Sequence, residues 1–295
     1  MKNHFHNDAD TRQVQSPAKV NLFLHVTEKR PDGYHNLYSL MCPVTLFDTL
    51  TFTFGYPRLS MVCDHPGVPS DERNLAWQAA LLFQKRVPSF GGAHIQLQKR
   101  IPVAAGLGGG SSNAAAVLRT LNHRAGSPLE MDALMEMGRS LGADVPFFLL
   151  NRPAIAEGVG DRLTPYDRLD RFFLVLLAFP FGVATPDVYK NLNLGLTKCK
   201  KANTSFALEK EQDFDIVRYL CNDLETVTIH QFPEIEAAKN ALMTHGSAGA
   251  LMSGSGPTVF GLFRTAEKRD HALASLSGAG TWRAYAAELM VRPAD

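Results

Sequence analysis

Pro102-Val103-Ala104-Ala105-Gly106-Leu107-Gly108-Gly109-Gly110-Ser111-Ser112 runs straight into Asn113-Ala114-Ala115-Ala116-Val117-Leu118-Arg119-Thr120-Leu121. The second stretch is rich in helix formers and stops near Gly126. Just upstream, Ile95 and Leu97 alternate with polar residues as in a short strand. The order is strand, glycine loop, helix. Glycines at 106, 108, 109 and 110 let the backbone curl close to a ligand, and the helix turns its unpaired first N–H groups and positive dipole end into that curl. With hydroxyls from Ser111 and Ser112, such a loop suits a di- or triphosphate better than a lone carboxylate. A flexible linker is the bland alternative, but linkers seldom join a strand to a well-formed helix.

Known loop classes narrow the reading. A Walker loop needs a lysine that is missing here, and a dinucleotide loop needs G-x-G-x-x-G, whereas Ser111 stands three residues after Gly108. The G-x-S-x-G of hydrolases does not occur around Ser111, Ser112 or Ser255.

Outward from the loop, Val20, Leu22, Leu24 and Val26 alternate with Lys19, Asn21, Phe23 and His25, a strand with one face in the core and Lys19 and Asn21 together on the other. Pro31-Asp32-Gly33 is turn chemistry, and the first third of the chain reads mostly as sheet. Asn74 to Gln84 has helical spacing. Ser127-Pro128-Leu129-Glu130 predicts an N-cap, first-turn proline and capping-box glutamate for a helix that Gly142 closes, with Asp144 just beyond. Phe172 to Phe179 reads as a buried strand, Thr185-Pro186-Asp187 opens a short helix, and Pro233 to Thr244 forms another. Ser253-Gly254-Ser255-Gly256-Pro257 separates two apolar runs. The lysine-bearing segment Leu194 to Ser205 is expected to be mobile.

The chain's 295 residues suggest two domains, with a boundary near Tyr166: residues 1–166, of which 1–15 form a disordered polar tail, and 167–295. Thirty Lys and Arg against 29 Asp and Glu leave a net charge of +1, too balanced for a surface built to hold nucleic acid or anionic lipid. Cysteines at 42, 63, 199 and 221 show no C-x-x-C pair, so neither a disulfide framework nor a zinc site is expected, and reduced cytoplasmic thiols are the simple reading. No signal peptide or membrane span is expected.

PVAAGLGGGSSNAAA resembles the phosphate-loop motif of the GHMP kinase superfamily, small-molecule kinases that lack a Walker lysine. Ser16-Pro17-Ala18-Lys19-Val20-Asn21-Leu22 is similar to that superfamily's first motif. Met252-Ser253-Gly254-Ser255-Gly256-Pro257-Thr258-Val259-Phe260 is similar to its third, a glycine loop beside the first. Arg30-Pro31-Asp32-Gly33-Tyr34-His35-Asn36-Leu37 and Leu141-Gly142-Ala143-Asp144-Val145-Pro146-Phe147-Phe148 resemble the branch that phosphorylates a diphosphocytidyl alcohol of the non-mevalonate isoprenoid pathway.

The resemblance spans about residues 16 to 263. It implies an α+β fold of two domains, the first ribosomal-protein-like and the second ferredoxin-like, with the active site between them. It also implies ATP and Mg2+, a small-molecule substrate, and a monomer or weak homodimer. Mapped by motif, the catalytic pair is Lys19 and Asp144: a carboxylate poised to take a hydroxyl proton and an ammonium that keeps it ionised. ATP falls to Pro102 through Ser112, with Asn74 and Lys99 near the adenine. The substrate falls to Asn21, Tyr34, His35, Thr185, Pro186, Tyr189 and Gly254, Tyr189 lying across the base from Tyr34 and His35. The metal ligands are not assigned. A sibling kinase for homoserine, mevalonate or a sugar, and a catalytically dead nucleotide sensor, are the rival readings.

Overall fold

The computed structural model describes residues 10–197, 199, 204–205, 207–208 and 214–291. In chain order the elements are β1 (Thr11–Lys29), β2 (His35–Tyr56), β3 (Ser60–Cys63), α1 (Leu75–Arg86), β4 (Gly92–Gln98), α2 (Gly109–Arg124), α3 (Met131–Leu141), α4 (Val145–Leu150), β5 (Ala154–Gly158), β6 (Arg162–Pro165) and β7 (Phe173–Ala178). There follow α5 (Thr185–Asn191), β8 (Cys221–Asn222), α6 (Glu225–Gln231), α7 (Glu234–Thr244), β9 (Gly249–Met252), β10 (Val259–Phe263), α8 (Ala266–Leu276) and β11 (Arg283–Glu288).

The strands form two sheets. The larger is ordered β3-β4-β2-β1-β8, with β5 branching from β2 and β6 pairing β5; the smaller runs β11-β7-β10-β9. Strand β1 carries the key pattern, but the structure buries both of its faces. From Ser16 to Val26 every residue is buried, including Lys19, Asn21 and His25. Ala18, Val20 and Leu22 enter a core shared with Leu174, Leu176, Phe260 and Leu262 of the second sheet. A register shift between Asn21 and Phe23 then lets Phe23 join that same core directly after Leu22. The alternation predicted one wet face. It is dry because the loop before α2 closes over it: the Lys19 N–H donates to the Leu107 carbonyl at 3.0 Å.

Helix α1 starts where Asn74 caps it, its Oδ1 accepting from the Ala76 N–H at 2.9 Å. The faces of α1 and α2 that meet are rich in alanine: Ala76, Ala79 and Ala80 on one, Ala114 and Ala115 with Leu118 on the other, in one core with Phe83, Phe52 and Ile95. Strand β7 divides its side chains with period two between cores, Leu174 and Leu176 inward and Val175 and Leu177 toward α6, α7 and α8. That is why it reads as an uninterrupted apolar run.

Three further expectations change, and a fourth is left untested. Residues 11–15, assigned to the tail, are the start of β1, Thr11 pairing with Thr53. Glu130, not Ser127, is the N-cap of α3, and no side chain caps it; Ser127 takes a positive φ, and the Asn122 side chain brackets the turn through both backbone groups of Leu129. The segment Leu194 to Ser205 lies partly outside the described residues. Finally, Cys199 and Cys221 form a disulfide, while Cys42 and Cys63 are free. At a sequence separation of 22, no spacing rule flags the pair. The fold creates it: Asp223, next to β8, takes the Val26 N–H on one carboxylate oxygen and the Cys199 N–H on the other, at 2.8 and 3.2 Å. Among the described residues no helix is long and apolar enough to cross a membrane.

Thiol titration in denaturant is expected to find two reactive cysteines in the untreated protein and four after reduction. Four before reduction would remove the Cys199–Cys221 bond.

Candidate active site

A cavity of about 1080 Å³ opens between the two glycine loops, the β1–β2 turn and α5. Its upper wall is the segment Pro102 to Gly106 with Gly108 to Ser111, leading into α2, whose N-cap Gly108 offers no side-chain cap. The first N–H groups of this helix therefore keep their donor capacity and face an open space. Two glycines are irreplaceable there. Gly106 has φ +75° and a Cβ on it would meet the Ser253 carbonyl at 2.2 Å; Gly108 has φ +70° and a Cβ would meet the Phe148 ring at 2.8 Å.

The second loop is stitched to the carbonyls of the first, once by a side chain and once by main chain. Ser253 Oγ donates to the Gly106 carbonyl at 3.0 Å and the Thr258 N–H points to Ala105 O at 3.4 Å. Buried Asn222 holds the loop from below, its amide donating to the carbonyls of Met252 and Gly254, both at 2.8 Å. Thr185 and Ser255 share a hydroxyl hydrogen bond of 2.7 Å, which ties the start of α5 to the same loop.

Beneath the loops, a chain of donors fixes Lys19. Ser39 Oγ donates to the Phe23 carbonyl at 2.6 Å, so its oxygen accepts the Asn21 amide N–H at 2.8 Å. Asn21 Oδ1 is thereby turned to Lys19 Nζ, 2.6 Å away. The ammonium, with its side chain 6% exposed, then stands 3.7 Å from Asp144 Oδ2. Asp144 is the N-cap of α4, placed by the turn that Gly142 and Ala143 make after α3, and its carboxylate is partly open to the cavity.

At the far end three aromatic rings gather. The β1–β2 turn is fastened by Asp32, whose Oδ1 accepts from the Tyr34 N–H at 3.1 Å, and Tyr34 projects 66% exposed. His35 is buried and stacks on Tyr189 with centroids 5.3 Å apart. Those two rings already touch, so the gap expected between them for a base is closed here, and Tyr34 is the ring left open. Desolvation, with the charge of Lys29 adding, holds the His35 imidazole below its usual 6.5. Desolvation also pushes the Tyr189 phenol well up, and the negative charge of Asp144 adds to it.

Of the residues expected in the site, the cavity wall contains all but Leu107 and Ser112. Leu107 packs its side chain in the core between the sheets. Ser112 spends its N–H on Gly108 O at 2.9 Å, and its side chain faces the opposite side of α2. Adjacent helix residues point about 100° apart, so Ser111 and Ser112 cannot serve one ligand. Asn74 lines the cavity with its polar atoms engaged, Oδ1 in the cap and Nδ2 on the Pro69 carbonyl at 2.7 Å. Lys99 is paired with fully buried Asp48, which also accepts the N–H groups of Arg100 and Ile101. Its ammonium lies 3.3 Å from Asn113 Oδ1, beside the first turn of α2. Sequence reading missed Ser39, Asp48, Asn113, Asn222 and Ser255. The available signal was a lone polar residue inside an apolar run, as with Ser39 between Tyr38 and Leu40.

The chain matches the model of the GHMP kinases N terminal domain at residues 74–152 and that of the GHMP kinases C terminal at residues 207–281. It is 43% identical over 277 residues to 4-diphosphocytidyl-2-C-methyl-D-erythritol kinase of Syntrophus aciditrophicus, covering 92% of this chain and 97% of the relative. It is 42% identical over 279 residues to the enzyme of that name from Geobacter metallireducens, covering 94% and 98%. A crystal structure of 4-(cytidine 5'-diphospho)-2C-methyl-D-erythritol kinase superposes with a TM-score of 0.80 at 37% identity, covering 94% and 99%. Mevalonate kinase from L. major shares the fold, with a TM-score of 0.74 at 17% identity over 95% and 96%.

Because its folded value is depressed, His35 binds a proton less readily than in the unfolded chain. Stability is therefore unaffected by this group above pH 6.5 and falls as pH drops through the interval between 6.5 and the folded value. An NMR titration of the ring is expected to give a midpoint below 6.5; one at or above it contradicts the burial.

Proposed function

The chain belongs to the GHMP kinase family, and within it to the 4-diphosphocytidyl-2-C-methyl-D-erythritol kinases; on that premise we propose that its cavity transfers the terminal phosphoryl group of ATP to the 2-hydroxyl of 4-diphosphocytidyl-2-C-methyl-D-erythritol. The observation that carries this reading is the Lys19–Asp144 pair, 3.7 Å apart, in the cavity onto which the uncapped N-terminus of α2 opens.

The triphosphate lies along the loop from Pro102 to Ser111, where main-chain N–H groups and the helix dipole oppose its charge. Asp144 takes the hydroxyl proton as the oxygen attacks. Lys19 keeps that carboxylate ionised and offsets negative charge during transfer. Because Asn21 and Ser39 hold the ammonium in one direction, alignment is set before substrate arrives, and alignment is most of what phosphoryl transfer needs.

Mg2+ fits this donor set sparsely but adequately. Asp144 and Ser111 both line the cavity and offer oxygens to it, and Mg2+ commonly takes one or two such ligands with phosphate and water completing its shell. When bound, the ion would neutralise phosphate charge.

The cytidine half of the substrate lies at the aromatic end, with its base on Tyr34 beside the neutral His35 ring and the His35–Tyr189 stack as the wall behind. Thr185, Pro186 and Gly254 border the diphosphate and alcohol between. The 37–43% identity to enzymes named for this substrate, against 17% to a mevalonate kinase, favours it over the sibling substrates.

A coupled ADP-release assay against the diphosphocytidyl alcohol, homoserine and mevalonate tests the reading; turnover of either of the last two in preference to the first rejects it. Asp144→Asn is expected to leave ATP affinity near normal and lower kcat by about 10² to 10⁴. Unchanged kcat would rule out the base. Tyr34→Ala is expected to weaken the cytidine substrate by roughly 1–3 kcal/mol without altering ATP binding. Equal loss for both ligands would point to damage to the fold.

A further inference from the structure

Behind the phosphate-loop helix lies a second hollow of about 380 Å³, within the lower range of small-ligand sites. The start of β1, the outer side of α2, the first turn of α3 and the end of α4 enclose it. No Asp or Glu lines it, whereas Arg12, Arg119 and His123 do. Arg12 Nη1 stands 2.9 Å from His123 Nδ1. A guanidinium only donates, so Nδ1 accepts and the imidazole proton sits on Nε2, a further donor. Arg119 is exposed on α2, without an ion-pair partner among the described residues.

The floor supplies the second observation. Ser112 is 1% exposed and lines the hollow, yet its Oγ has no hydrogen-bond partner among the described residues. Asn151 Oδ1, on the same wall, is also buried and unpartnered. A buried polar group left unpaired costs about 1–3 kcal/mol, so a ligand that pairs both recovers that cost. Leu134 and Phe148 make one side apolar.

We propose that this hollow binds a small organic phosphate: its head group on Arg12, Arg119 and His123, its apolar part along α2 against Leu134 and Phe148, and a hydroxyl of that part, not the head group, toward Ser112 near the other end of the helix. Two guanidiniums and an imidazole N–H suit a dianion with three acceptor oxygens better than a singly charged carboxylate. A protonated phosphate oxygen or ligand hydroxyl satisfies Asn151.

The site also touches the supports of the catalytic cavity. Ser16 lines the hollow and accepts the Asn113 amide N–H at 2.7 Å, while Asn113 faces the cavity. The Phe148 ring lies directly behind Gly108. Occupancy therefore alters the KM for ATP more than the KM for the alcohol, a corollary that rests on the kinase reading.

Calorimetry with phenyl phosphate decides the matter, using the full chain saturated with the non-hydrolysable analogue AMP-PNP so that the catalytic cavity is closed to the probe. One equivalent is expected to bind; Arg119→Gln is expected to weaken it at least tenfold, and benzoate to bind at least tenfold more weakly. Loss of binding under AMP-PNP, unchanged affinity in Arg119→Gln, or equal affinity for benzoate overturns the proposal. Arg119 is exposed, so its replacement leaves the fold and the basal kcat intact. If AMP-PNP itself fails to bind, the kinase reading fails instead, and the Arg119→Gln comparison on the free protein still judges the hollow.

Discussion

A buried ammonium governs this molecule. Removing a charge from water costs several kcal/mol unless hydrogen bonds and an opposite charge replace the lost solvent. Lys19 meets that condition through Asn21 on its own strand and Asp144 across the cavity. Each replacement has its own support: Asn21 depends on Ser39, Ser39 on the Phe23 carbonyl, and Asp144 on the turn between α3 and α4. Strand, turn and loop must all be in place before the charge is tolerated.

The glycine loops answer a different demand, that of bringing backbone against backbone. A side chain at Gly106 would collide with the Ser253 carbonyl, so the two loops can touch only as bare main chain. The contact leaves amide donors free on the cavity side while Ser253 and Asn222 satisfy the carbonyls behind. A phosphate site without a cationic side chain in its loop is built in this way.

Much of this was legible in the chain. Strand, loop and helix around residue 106 follow from composition and periodicity, and Lys19 and Asn21 share a strand face by simple alternation. What was not legible has physical causes. The burial of both faces of β1 is decided by the loop 80 residues later. Ser112 looks equivalent to Ser111 until helical rotation turns it away. The Cys199–Cys221 bond depends on the long-range pairing of β8 with β1, and the closure of His35 on Tyr189 on the docking of α5. The cap of α3 was misplaced because Asn122 had already claimed the turn before it.

The double burial of β1 also bears on errors in assembly. Sliding this strand by one residue against β2 would exchange Lys19 with Ala18 or Val20, thrusting an amine among leucines and phenylalanines and leaving a methyl group where the transfer chemistry belongs. A misaligned molecule is thus both unstable and inert. Correct register and the placing of the amine beside Asp144 are therefore enforced by one and the same packing.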